Sequence, residues 1–347
     1  MEIGPVVEKL RAFRPWRYRP RNGWRRPLVI AGCSFVALLI GGLLLYAQFF
    51  GPVTTESVPV SEFIVKPDAS LFEVTRELRR AGFVKSSTAF SLAFRLYDTG
   101  RGVQEGGYQL SPSMDSLTIA KRLASPPYLA WVTFPSGWRK EQIADLLTKK
   151  LGWSEAERTH WIEIDTAPAG DLTEGVYYGD TYLIPVDQDP GYVAGRLRGR
   201  FQDVFAPYAT EAALRGIPWQ DIVTMASLIE REAAKDDKHL ISGILWNRID
   251  SGMGLQVDAT LQYMRGTRGN WWPVPSASDK KVDSLFNTYK YRGLPPHPIA
   301  NPSLESIEAA LHPAKTNCVY YLHDDDGTIH CSQTYAGQIR NVNRYLK

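Results

Sequence analysis

Residues 27–50, PLVIAGCSFVALLIGGLLLYAQFF, carry no charge at all. No other stretch restricts the fold so strongly. Wound as a helix, a run of this length extends about 36 Å, enough to cross a hydrocarbon core with some tilt. Lys9, Arg11, Arg14, Arg17, Arg19, Arg21, Arg25 and Arg26 precede it, against Glu2 and Glu8. That segment is therefore +6, and the remainder sums to −3 of the whole-chain +3. A basic flank of this kind is kept in the cytoplasm by the positive-inside rule, which puts residues 51–347 on the far side of the cytoplasmic (inner) membrane, in the periplasm or its equivalent. A cleaved signal peptide is the rival reading. Its apolar region would be shorter, and no small-x-small cleavage site follows this one. The expectation is a cytoplasmic segment at 1–26, a retained single-pass helix at 27–50 and an extracytoplasmic body. The acidic balance of that body argues against a nucleic-acid partner.

Beyond the apolar run, 51–60 reads as a short linker. EFIVK (62–66) reads as a strand, and SLFEVTRELRRAG as a helix with Leu71, Val74 and Leu78 on one face and Gly82 as its stop. A second helix opens at Ser86 or Ser87, GGYQLSP (106–112) is a strand, and SLTIAKRLAS a further helix. Together they make a small β-α-α-β module with an extra helix over 61–127. AWVTFPSG (130–137) restarts with a strand. The distal part, 128–347, is mostly helical, with helices expected at 190–206, 209–215, 218–234, 237–251, 303–312 and 334–346. Polar and aromatic loops lie between them. The fold class is α+β.

Cys318 and Cys331 would sit in an oxidising space, where pairing is permitted. They flank VYYLHDDDGTIH, an Asp-Gly hairpin turn with two strand histidines. A turn at Asp324–Gly327 places the cysteines diagonally, near the limit of disulfide reach, which tilts the reading against a bridge. The same histidines and aspartates look metal-like, but the hairpin accounts for them. H-E-x-x-H, paired C-x-x-C, the P-loop signature and G-x-S-x-G are all missing from the sequence, so metal, nucleotide and triad chemistry lack their marks, and no cofactor is expected. Carboxylate chemistry remains.

PWQDIVTMASLIEREAA (218–234) is apolar nearly all round and belongs in an interior. It ends in Glu230 and Glu232, two residues and roughly 200° apart, so the two acids cannot face one cleft together. A carboxyl held among apolar atoms has its pKa raised, which is how a general acid stays protonated near neutrality. Periodicity leaves open whether either acid is catalytic or merely a charged helix end.

ASLIEREA (226–233), NRIDSGMGLQVDAT (247–260), FNTYKYRGLPPHPIANPSLESIEAALHPA (286–314) and EGVYYGDTYLIP (174–185) resemble, in order and spacing, the successive motifs of the YceG-like endolytic murein transglycosylases. The resemblance covers nearly the whole chain, including the N-terminal anchor, and it makes the 61–127 module LysM-like and 128–347 the catalytic domain. The sequence departs from the usual pattern at Gly179, Ala233, Ala259 and His297, and none of these changes removes a proton donor. The resemblance implies that Glu230, the first acid of its motif, is the catalytic residue. Glu232 would then be exposed or paired with Arg231 or Lys235. It also implies cleavage of the MurNAc-GlcNAc bond of peptidoglycan strands without water, leaving 1,6-anhydro ends and ending strand elongation. The implied partners are glycan strands, the cytoplasmic membrane and peptidoglycan synthases. Gln256, Asn247, Asn287, Thr288 and Tyr289 are candidate substrate contacts, for which loop-fixing hydrogen bonds are the alternative. Glu174, Tyr182 and Asp258 complete the set. Rival readings are a non-catalytic wall-binding scaffold for synthases and a water-using muramidase, which would want a second acid.

Overall fold

The computed structural model describes residues 25–168, 171–234 and 236–346, so most of the basic N-terminal segment and Lys235 lie outside the described residues. The first helix, α1 (Arg25–Phe49), contains an unburied apolar span at Leu28–Phe49. It is the one helix among the described residues long and apolar enough to cross a membrane.

The chain divides into two compact units. The smaller takes the described residues up to Ser61 together with Ser70–Val103 and Leu110–Ala124; the larger takes Glu62–Ala69, Gln104–Gln109 and everything from Ser125. In the smaller unit, α2 (Leu71–Arg80), α3 (Ser87–Arg95) and α4 (Ser116–Leu123) each start on a side-chain cap. Ser70 and Glu73 form a reciprocal capping box, and Ser86 and Asp115 accept from Ala89 and Thr118 backbone N–H groups. Such caps satisfy the orphan donors of a helix start and contribute about 1 kcal/mol each. Leu78, Phe90, Phe94, Ile119 and Leu123 form the core of this unit.

Residues 51–60 are less of a free linker than the sequence implied. Val53 and Thr54 N–H groups donate to the Pro112 carbonyl, and the Ser111 hydroxyl donates to the Val58 carbonyl at 2.6 Å. The segment is laid along its own unit.

In the larger unit, β1 (Ser61–Val65), β2 (Gly106–Leu110), β3 (Leu129–Thr133) and β4 (Thr181–Pro185) form one sheet in that order. The β3–β4 pair is antiparallel, with Ala130 opposite Ile184 and Val132 opposite Tyr182. β2 meets β3 at Gly107 opposite Leu129, where a Cβ would lie 2.5 Å from the Leu129 side chain, so only glycine fits. The strands expected to close the 61–127 module thus share a sheet with strands from beyond it. Apolar alternation marks a strand but does not name its neighbour, and for that reason the division of the chain does not follow 61–127.

The helices of this unit are α5 (Lys140–Leu151), α6 (Glu155–His160, continued by a π-turn to Asp165), α7 (Pro190–Leu214), α8 (Trp219–Glu232), α9 (Lys238–Asp250), α10 (Asp258–Arg265), α11 (Leu304–Leu311) and α12 (Tyr335–Tyr345). A break expected at Pro207 does not occur, and α7 continues for 25 residues. Buried Phe201 and Phe205 on one side of the proline and Ala212 on the other hold both halves to the same core, outweighing the one lost N–H bond. α10 and β4 fall in segments the sequence had left irregular. α8 is the centre of the core: Ile222 through Ile229 are all buried.

β5 (Tyr320–His323) and β6 (Ile329–Ser332) form the expected hairpin. Cys318 and Cys331 are nevertheless joined, which corrects the reading against a bridge. The geometric argument assumed that Cys318 lies in the ladder. It precedes β5, and its backbone is drawn aside by the Asn247 amide, which donates to the Thr316 and Cys318 carbonyls. The Cα–Cα separation is then 5.9 Å. Closing a loop of this size stabilises by about 3 kcal/mol through chain entropy. We expect Cys318→Ser/Cys331→Ser to lower stability by roughly that amount, read as a lower urea midpoint with unchanged slope. An unchanged midpoint would mean the bridge is thermodynamically idle.

Candidate active site

α8 begins at Pro218, whose missing N–H costs nothing there, and ends where Ala233 turns to extended backbone. Its apolar residues are used on every face, and the Ser227 hydroxyl, donating to Thr224 and accepting from the Ile299 N–H, ties it to the 299–301 segment. The two acids emerge from this buried rod on opposite sides.

Glu230 meets the start of α11. Its Oε2 accepts from the Ser303 N–H at 3.1 Å and from the Ser303 and Ser306 hydroxyls at 2.5 Å each. The Lys238 ammonium of α9 stands 3.4 Å away and also bridges to Glu305. One carboxylate oxygen therefore gathers donors from α9 and α11, placing negative charge at the α11 N-terminus, where the helix dipole favours it. The group acts as an acceptor that locks three helices together. This corrects the expectation that Glu230 is an acid left among apolar atoms.

Glu232 has the surroundings expected for its neighbour. The residue is half-buried. The Tyr321 hydroxyl of β5 donates to Oε2 at 2.9 Å, and the Ala259 N–H at the start of α10 donates to Oε1 at 3.4 Å. Loss of hydration pushes its pKa up, with Asp258 adding to the rise; the Tyr321 and Ala259 hydrogen bonds and His323 oppose it. Burial, rather than a partner charge, dominates. Neither an exposed position nor a pairing with Arg231 is found. The Arg231 guanidinium stacks on Trp272 at 4.0 Å, and the alternative partner Lys235 lies outside the described residues.

Two loops bring further groups to Glu232. Leu255 and Val257 are buried, and Gln256 between them is exposed with φ 53°, a left-handed backbone that only a well-determined loop imposes on a non-glycine residue. The Gln256 N–H donates to the Thr288 carbonyl, the Val257 N–H to the Thr288 hydroxyl, and the Arg248 guanidinium to the Leu255 carbonyl. Asn287 is fully buried, donates to the Lys280 and Val282 carbonyls and accepts from the Tyr289 N–H. Tyr289 then donates to Asp258 at 2.6 Å, and the Lys280 ammonium lies over its ring.

Burial first, then nearby carboxylates, raises both tyrosines: Asp258 and Glu232 act on Tyr289, and Glu232 acts on Tyr321. Of the candidates read from sequence, Asp258 and Tyr289 stand beside Glu232, Gln256 is exposed in the loop that carries Asp258, and Thr288 and Asn287 hold the loops behind them. Asn247 is spent on the loop before β5. Tyr182 is packed on Phe134 with its hydroxyl on the Tyr178 carbonyl, and Glu174 is fully buried beside Lys140 and Asn301. The Glu174 pKa is pushed up to about 8, by burial first and then by Glu141, against the Lys140 N–H and the Lys140 and Arg139 charges.

Tyr321 and His323 escaped the sequence reading. Alternation along β5 was the available signal, since residues two apart share a strand face. His323 Nε2 lies 2.6 Å from Asp237 Oδ2.

A family model described as the YceG-like family matches residues 63–344 of the chain. The chain belongs to the YceG-like family. A Bacillus subtilis (strain 168) protein named endolytic murein transglycosylase is 28% identical, over 89% of this chain and 91% of its own length. A Streptococcus pneumoniae protein of the same name is 25% identical over 92% of this chain; the match spans 65% of that longer relative. A crystal structure of a YceG-like protein from Listeria monocytogenes superposes with a TM-score of 0.59 at 25% identity, covering 82% of this chain and 99% of that one. The matched family region runs from within β1 to the last turn of α12, and α1 precedes it.

The loop geometry makes a prediction. Thr288→Val strands the buried Val257 N–H and should cost about 1–3 kcal/mol. Gln256→Gly relaxes the left-handed backbone and should leave stability equal or higher by up to about 1 kcal/mol. Urea unfolding of both variants checks this; a Gln256→Gly protein as weakened as Thr288→Val would contradict the strain assignment.

Proposed function

We propose that this chain is a membrane-anchored endolytic transglycosylase of murein, working on the outer side of the membrane with Glu232 as its acid and base. The single observation that carries the reading is a half-buried, raised-pKa carboxyl at the tip of a buried helix, held by Tyr321 with Asp258 and Tyr289 beside it. The names of the Bacillus and Streptococcus relatives supply the substrate class. α1, with its basic flank, supports the anchor and its orientation. The disulfide supports an oxidising compartment independently of α1.

In this reading Glu232 starts protonated and gives its proton to the glycosidic oxygen between MurNAc and GlcNAc as the C1–O bond breaks. The resulting carboxylate takes the proton of the muramic 6-hydroxyl as that oxygen bonds to C1. The 1,6-anhydro ring closes, the GlcNAc hydroxyl leaves, and the carboxyl is restored. One group serves in two states, and no water enters. Tyr321 holds the carboxyl in its orientation. Gln256, exposed on its strained turn, offers amide contacts to a polar, uncharged sugar chain. Asp258, tied to Tyr289, stabilises positive charge building at C1.

A hydrolase is the second reading, favoured by the presence of Asp258 beside Glu232. Two carboxylates flanking a glycosidic bond are the usual hydrolytic arrangement. Product analysis separates the two readings, because ordinary reducing ends would mean hydrolysis.

Glu232→Gln should lower cleavage of purified sacculi by at least about 10³-fold, since it removes the proton while keeping the shape. Glu230→Gln should instead weaken the fold, with the correctly folded fraction still cutting. Muropeptide mass analysis of both variants, normalised to folded protein, reads the outcome. Wild-type turnover in Glu232→Gln would exclude it as the acid.

The raised pKa has a stability consequence. The folded state keeps the Glu232 proton above about pH 4.3, where an unfolded glutamate has begun to lose it. Stability is therefore lost as pH rises from there through the folded pKa. Glu232→Gln escapes this loss, so its stability advantage over wild type should be absent near pH 4 and grow toward neutrality. Denaturant melts across that range would show a flat difference if the carboxyl were freely hydrated.

A further inference from the structure

The C-terminal end of α1 is fastened to the smaller unit. The Tyr46 hydroxyl donates to Asp115 at 2.8 Å, the Lys85 ammonium to the Ala47 carbonyl at 2.9 Å, and the Ser116 N–H to the Phe50 carbonyl at 2.8 Å. These contacts reach α4 through its cap and the loop that leads into α3. Tyr46 and Phe50 stack at 5.9 Å, an aromatic pair at the place where an interfacial belt belongs.

α3 buries Ala89, Phe90, Ala93 and Phe94 and leaves an apolar stripe on the other side. Leu92 is 56% exposed and Leu96, at its C-cap and one turn on, is 71% exposed. A single exposed leucine needs no explanation. Here two stand in line, with Tyr97 also exposed, and Leu92 and Arg95 line the same cavity as Phe49 and Phe50. The cavity joins the end of the apolar span to the bare face of α3.

We propose that this face of α3, centred on Leu92 and Leu96, seats in the outer leaflet of the membrane that α1 crosses. The proposal rests on reading α1 as a retained span. The occupant follows from continuity. A 22-residue span is about 33 Å long and uses up the hydrocarbon core, so Phe49 stands at the interfacial zone. A helix face held rigidly beside Phe49 is then held at the same depth. Apolar side chains there bury themselves among headgroups and upper acyl chains, while Arg95 can reach lipid phosphates. The smaller unit is on this account an interfacial foot that fixes its own height and tilt at the membrane, where a slack tether would fix neither.

The test uses the full chain with Cys33→Ser, reconstituted in phosphatidylethanolamine/phosphatidylglycerol bilayers. One form carries Leu96→Cys and another Leu39→Cys, each labelled with a small fluorophore. Cys318 and Cys331 are paired and do not react. Doxyl-labelled lipid is the quencher, with the nitroxide either shallow or deep. The Leu96 label should be quenched roughly twofold or more by shallow nitroxide, as expected for a face lying in the headgroup boundary. The Leu39 label should be quenched by deep nitroxide. Quenching at Leu39 with none at Leu96 overturns the interfacial foot and leaves the anchor standing; it would also fit a protein partner on α3. No quenching at either position removes the anchor, and the proposal with it. Leu96 is exposed, so its replacement leaves the fold intact.

Discussion

The burial of α8 on every side is the constraint on which the remaining architecture depends. A helix with no polar face can lie only in the middle of the larger unit, and its last turn must then surface between other elements. Glu230 and Glu232 leave that turn in opposite directions. One meets the α11 N-terminus and the Lys238 ammonium, and there a full set of donors makes a charged group cheap to bury. The other meets Tyr321 and one distant N–H, too few partners to replace the water it has lost. The two identical carboxyl groups differ in the number of donors around them.

The supporting shell follows the same economy. Side chains that a sugar-binding reading would enlist, Asn287, Thr288 and Asn247, are consumed by backbone carbonyls and N–H groups of the surrounding segments. Their effect is indirect. Thr288 and Asn287 fix the loops in which Gln256 takes a left-handed turn and Asp258 and Tyr289 come up beside Glu232, while Asn247 fixes the segment before β5. The hairpin brings Tyr321 from the far end of the chain, and the disulfide closes the loop that carries it. Stability is concentrated behind the site, and the strained or poorly solvated groups face it.

Much of this was legible in the sequence, and the failures have physical causes. The apolar run, the helix start at Ser86, the hairpin and the buried character of 218–234 are local patterns, and local patterns survive into the fold. The 200° separation of the two acids was equally legible. Which acid faces a cleft was not, because a helix apolar all round gives no polar side from which to tell outside from inside. The same limit hid the sheet. β1, β2 and β3 were recognisable, but β2 pairs with β3 across α4 and β3 with β4 across α5 and α6, and strand pairing is not local. Cys318 was misjudged because Asn247, 71 residues away, moves the backbone out of the ladder.

The central claim is that Glu232 is the carboxyl on α8 whose pKa burial pushes up, and vibrational spectroscopy addresses it directly. Infrared spectra of wild type, Glu230→Gln and Glu232→Gln would be compared in the protonated-carboxyl region as the pH is raised past the range in which an ordinary glutamate ionises. Glu174, whose pKa is about 8, supplies a background band common to all three. The account predicts that one further protonated-carboxyl band is present in wild type and in Glu230→Gln and is missing from Glu232→Gln alone. A band that survives in Glu232→Gln and vanishes in Glu230→Gln would contradict it.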